Sequence, residues 1–86
     1  MKTVIKMSAP WCGPCQQLKP IFDDVVAELT DINVVEINVD DNPDVASSYK
    51  IRSVPTIIIT DEHDNVLATK SGMMTKEQLI AFIESC

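Results

Sequence analysis

Glycine is scarce in this chain, with two in 86 residues, and histidine, tryptophan and tyrosine occur once each. No repeat, low-complexity tract or flexible linker is present, so one small domain over residues 1–86 is expected, with a single core. Long apolar runs are also missing: none reaches the length of a signal-peptide core or a membrane span, which leaves the cytoplasm as the default compartment. Basic clusters are absent too. Seven lysines and arginines are scattered against thirteen acids, a net charge of −6, which disfavours nucleic acid and anionic membranes as electrostatic partners. Three cysteines are too few for a disulfide framework. A closed tetrahedral zinc site would have to gather Cys12, Cys15, Cys86 and His63 from a helix start, a hairpin and the C-terminal residue. No metal or bound cofactor is therefore expected, an iron–sulfur cluster bridging two chains included. Cys86 reads as a bystander thiol that oxidation can link to a second chain.

What is present is concentrated in Trp11-Cys12-Gly13-Pro14-Cys15. A short run of β-formers, Thr3 to Met7, precedes it, and Leu18, Ile21, Phe22, Val25, Val26 and Leu29 follow at the spacing of an amphipathic helix. The two thiols thus fall on the first turn of that helix. Its unpaired N–H groups carry partial positive charge and favour a thiolate on Cys12. A fall in pKa from about 8.5 to about 7, a value known for cysteines in such Cys-X-X-Cys turns, raises the thiolate fraction at neutral pH from roughly 3% to roughly half. Because nucleophilicity falls with pKa, the net gain in attack rate is only about three- to fourfold. Positioning must supply the rest. Cys15, one turn deeper and expected to be less exposed, is placed to resolve the mixed disulfide that Cys12 forms. Pro14 suits a first helical turn, and Gly13 lets a partner backbone come close.

The remaining pattern predicts strand 3–7, helix 13–30, strand 34–39, short helix 43–49, strands 56–60 and 66–70, and helix 76–85. Pro20 removes one backbone hydrogen bond from the first helix and is expected to kink it. Asn42 is expected to cap the short helix, with Pro43 at its first position. Thr75 and Gln78 form a capping box stapled by Met74 and Leu79, and Asp61 to Asn65 form a solvated hairpin turn. This order implies a right-handed parallel crossover followed by an antiparallel pair, an α/β fold.

Trp-Cys-Gly-Pro-Cys, with Pro20 five residues beyond, resembles the thioredoxin family. Val39-Asp40-Asp41-Asn42-Pro43 is similar to the family's strand-end turn, Ile51 to Thr56 to its proline loop, and Ser71-Gly72 to the glycine before its last helix. The resemblance implies a four-stranded mixed sheet in the order 2-1-3-4 with three helices. It also implies that this is a short version without the family's usual first strand and helix. Strand 34–39 then becomes an exposed edge, where Glu36, Asn38 and Asp40 discourage pairing with other sheets.

The resemblance further implies a cis Pro55 against the Cys12–Cys15 disulfide, leaving the Val54 backbone to pair with an extended substrate. Trp11, Gly13, Pro14, Ser53, Val54, Gly72 and Met73 then form a shallow docking patch, core packing being the alternative for Trp11 and Met73. Ser53 and Gln16 depart from the family's common residues. A larger departure lies six residues before Cys12, where the family has a buried acid and this chain has Lys6; the matching basic position is Glu36. One reading joins both to Cys12 and Cys15 in the catalytic set: Lys6 pairs with Glu36 near Cys15 and favours its thiolate, while Glu36 takes an acid–base role. The other lets Lys6 reach solvent across an open face.

The function that follows is reduction of protein disulfides by a Cys12/Cys15 dithiol cycle. The resemblance implies a monomer recharged by a thioredoxin reductase-like flavoprotein drawing on NADPH. Two alternatives stay open: an oxidant or isomerase of the same fold, disfavoured by Gly13-Pro14 and the lack of an export signal, and a non-catalytic accessory binding module.

Overall fold

The strand that organises the sheet is β1, Lys2–Ser8, whose β-branched centre is buried on both faces. This computed structural model describes residues 1–86. Helix α1 follows at Gly13–Glu28 and crosses over to β2, Ile32–Asn38, which lies parallel to β1 with Lys2 opposite Ile32 and Lys6 opposite Glu36. Helix α2, Pro43–Ser48, leads to β3, Thr56–Thr60, antiparallel to β1 on its other side. A hairpin then gives β4, Val66–Ser71, and helix α3, Lys76–Glu84, closes the chain. The strand order is β2-β1-β3-β4, as the family resemblance implies.

Alternation along β1 and β3 sends side chains to two layers. Val4, Ile57 and Ile59 pack with Leu18, Phe22 and Val25 of α1, Leu79 and Ile83 of α3, and Met74 just ahead of it. Ile5, Met7 and Ile58 face the other way, toward Ile37, Val45, Tyr49 and Ile51. Truncating the fully buried Phe22 would cost about 3–5 kcal/mol, because the helix covering the sheet would lose its largest core side chain. The Cys12–Cys15 turn is thereby fixed to a rigid platform.

Several boundaries differ from the sequence expectation for physical reasons. Helix α1 runs through Pro20 and ends at Glu28 rather than residue 30, since Leu29 is already extended while its N–H still reaches the Val25 carbonyl. Strand β2 begins at Ile32 rather than residue 34, because pairing with Lys2 recruits its first two residues. Asn42 does stand before α2 but does not cap it: its side-chain amide donates to the Asn38 carbonyl at 3.2 Å. The Thr75/Gln78 box forms in both directions, at 2.9 and 3.1 Å, above a buried Met74 and Leu79.

Candidate active site

The end of β1, the start of α1 and the loop before β3 meet at Cys12 and Cys15. Cys12 is the N-cap of α1, with extended backbone, and its sulfur accepts the Cys15 N–H at 3.1 Å. A sulfur thus occupies the place of a capping oxygen, at the positive end of a helix whose first turn carries no acid. Cys12 and Cys15 are joined in a disulfide across that turn.

The two cysteines are nearly equally covered, at 4% and 5% exposure, so Cys15 is not the less exposed of the pair. Cys12 is roofed by the loop before β3, its sulfur lying 3.5 Å from the Val54 carbonyl oxygen and its side chain packing with Ala9, Val39 and Val54. That loop turns on a cis Val54–Pro55 bond. Thr56 Oγ1 donates to the Ser53 carbonyl at 2.6 Å, and Gly72 N–H donates to the Pro55 carbonyl at 2.9 Å, tying the loop to the end of β4. Gly72 itself has a φ of +91°, a conformation that favours glycine. The Val54 N–H makes no hydrogen bond within the chain.

Around this point the docking residues lie at the surface. Trp11 is 68% exposed and Met73 44%, so neither is core. Gly13, Pro14 and Ser53 are exposed, while Val54 and Gly72 are half-buried. The Trp11 indole is held in place by Asp40, its Nε1 donating to Oδ2 at 2.9 Å. Gln16 braces the turn before α1 by donating to the Pro10 carbonyl at 3.1 Å. Neither anchor was legible in the sequence: the Trp11–Asp40 contact spans 29 positions and depends on where β2 ends.

Behind the disulfide, Lys6 and Glu36 do pair. Lys6 Nζ lies 3.0 Å from Glu36 Oε1, and the Lys6 side chain is 6% exposed against 48% for Glu36. The ammonium sits 5.0 Å from the centroid of the Phe22 ring, an attractive cation–π distance. Lys6 is therefore buried and does not extend to solvent. A groove of about 240 Å³ opens beside it, lined by Lys6, Ser8, Cys15, Gln16, Lys19 and Asn38 among others. Cys12 and Glu36 are not among the lining residues.

Comparison with known proteins agrees with this arrangement. The thioredoxin family model matches residues 1–85. A thioredoxin from Pyropia yezoensis is 45% identical over 80 residues, which cover 92% of this chain and 74% of that protein. A thioredoxin from Rickettsia typhi is 37% identical over 84 residues, covering 96% and 79%. Among solved structures, a mutant thioredoxin from Halobacterium salinarum NRC-1 superposes with a TM-score of 0.88 at 36% identity, covering 98% of this chain and 73% of that one. A malarial protein superposes with a TM-score of 0.89 at 26% identity and covers 99% and 96%, so the same four-stranded architecture recurs at nearly this length. No helix here is long and apolar enough to cross a membrane. With its disulfide on the first turn of α1, against a cis proline and inside an exposed apolar rim, the chain belongs to the thioredoxin family of protein-disulfide reductases, with Cys12 and Cys15 as its redox-active pair.

Proposed function

We propose that the chain reduces disulfides of protein substrates, with Cys12 as the attacking and Cys15 as the resolving thiol. The observation that carries this reading is the placement of the Cys12 sulfur, which caps α1 and faces the cis Pro55 loop. A substrate strand laid across Trp11, Gly13, Pro14, Ser53, Gly72 and Met73 would bring its backbone to Val54, whose N–H is unpaired. The Cys12 thiolate attacks one substrate sulfur, forming a mixed disulfide and releasing the other sulfur as a thiolate. The Cys15 thiolate then attacks Cys12 Sγ, re-forming the internal disulfide and releasing the second substrate thiolate. The two cysteines supply two electrons, and the two protons end on the released thiols. A flavoprotein reductase drawing on NADPH returns the electrons, in a reducing cytoplasm, to a carrier that works as a monomer.

Turnover of insulin disulfides with dithiothreitol as donor tests the cycle. Cys12→Ser is expected to abolish it, whereas Cys15→Ser should accumulate a mixed disulfide through Cys12. Survival of turnover in Cys12→Ser would reject the assignment. The reduction potential tests direction: about −270 mV, the established thioredoxin value, fits a reductant, and about −180 to −120 mV fits an isomerase or oxidant.

A further inference from the structure

Cys12 and Cys15 are nearly equally covered and pack in one apolar cluster, but only Cys15 lines the groove beside Lys6. Cys12 lies under the loop that would hold substrate, whereas Cys15 lines the groove behind, together with Lys6. This matters in the second half of the cycle. With substrate bound through Cys12, the front rim is occupied, and Cys15 must lose its proton before it can attack. The groove gives that proton a path to water through a surface that Cys12 does not line. Its charged lining is entirely cationic: Lys6 from β1 and Lys19 from α1. Lys19 is exposed and lies 3.5 Å from Asp23 of its own helix, so its field is largely screened. Lys6 is 6% exposed, so its charge is screened less than that of Lys19. Glu36 of β2 is held on the Lys6 ammonium, outside the groove lining. Residues 53–55 over the pair carry no charge, exposed Arg52 stands just before them, and Asp40 near Trp11 accepts its indole N–H.

We propose that Lys6 is the positioning residue of the resolving step: its buried ammonium holds Cys15 as a thiolate facing the groove, and Glu36 sets the strength of that field by partly neutralising it. The proposal rests on Cys15 being the resolving thiol. It differs from an acid–base role for Glu36, because Lys6 stands between that carboxylate and the groove. The two side chains then act on Cys15 with opposite signs. Removing the cation disfavours the thiolate; removing the carboxylate leaves the cation uncompensated and favours it.

The test is the pH dependence of iodoacetamide alkylation of Cys15, in a chain carrying Cys12→Ser and Cys86→Ser so that a single thiol reports. Lys6→Met, close in volume, should move the alkylation midpoint up by about one pH unit. Glu36→Gln should move it down, and Lys6→Arg should leave it near the parent value. Shifts of the same sign in Lys6→Met and Glu36→Gln, or no shift in either, would overturn the proposal. Should Lys6→Met fail to fold by circular dichroism, Glu36→Gln decides the matter alone, since an unchanged or raised midpoint there is equally fatal. Insulin turnover in the otherwise unmodified chain separates the two ideas. Loss of turnover in the parent defeats the reductase reading, whereas normal parent turnover with unmoved midpoints defeats only the role of Lys6.

Discussion

Lys2 and Lys6 stand four residues apart on β1, on the same face of the sheet, and the surroundings put them to different uses. Lys2 lies at the end of the sheet far from the disulfide, half-buried, with its ammonium donating to the carbonyls of Ile83 at 2.7 Å and Cys86 at 2.6 Å. It places a cation at the C-terminus of α3, where the helix dipole favours one. Lys6 meets no helix end. It is enclosed between Phe22 and Glu36, beside the groove that Cys15 lines. Neighbours and burial thus set the two apart: Lys2 fastens the end of the fold, whereas Lys6 lines the same groove as Cys15.

The largest effect expected from breaking this contrast is on Lys6. Lys6→Glu would set a buried carboxylate directly opposite Glu36 in the β1–β2 register, an uncompensated charge on a central strand. A loss of about 3 kcal/mol or more in urea unfolding is expected. Lys6→Met should instead leave stability within about 1 kcal/mol, because an apolar side chain of similar size can replace a buried ion pair at little cost once Glu36 is free to turn to water. Equal destabilisation by the two variants would mean that Lys6 serves the fold, as Lys2 does.

Lys2→Met probes the other end. It removes hydrogen bonds from a charged donor to α3 carbonyls that are partly solvated, for an expected cost of about 1 kcal/mol. Insulin turnover and the Cys15 alkylation midpoint should not move. A shift in that midpoint would show that charge anywhere along β1 reaches the thiols.

The contrast also shows what a sequence can disclose. The active-site motif and the capping box of α3 were legible because each depends on residues close in sequence, Cys12 with Cys15 and Thr75 with Gln78, whereas the strand order came from the resemblance to a known family. What depended on register was not. Alternation placed Lys6 on one face of a strand, but only the pairing of Lys6 with Glu36 across β1 and β2 chose between burial and solvent. The same holds for Cys12, whose cover comes from Val54, 42 positions away. The Asn42 cap failed for a local reason, a competing acceptor at Asn38 four residues earlier. The resemblance to a known family supplied cis Pro55, which residue preferences alone would have set at about 5–6%.

A third charged side chain lies at a turn rather than on a strand. Asp61 opens the turn between β3 and β4 and is half-buried, and burial works against its charged form. It instead accepts hydrogen bonds from the backbone N–H groups of His63 at 2.8 Å and Asn65 at 2.9 Å, and from the Asn65 side chain at 3.0 Å. The bonds from Asn65 are the main cause holding its carboxyl below the ordinary value of 3.8, with smaller help from His63. A carboxyl whose pKa is lowered by folding contributes stability that is present above the unfolded value and is lost as pH falls through the folded one. Asp61→Asn keeps an acceptor oxygen at the turn but removes this titration. Thermal unfolding should therefore show the parent more stable than Asp61→Asn at pH 6, with the gap closing as pH falls below about 3.8 and the parent carboxyl takes up its proton. The effect is the smallest of the set, since water competes for every bond Asp61 makes. A gap independent of pH would mean that shape alone, not charge, makes the turn.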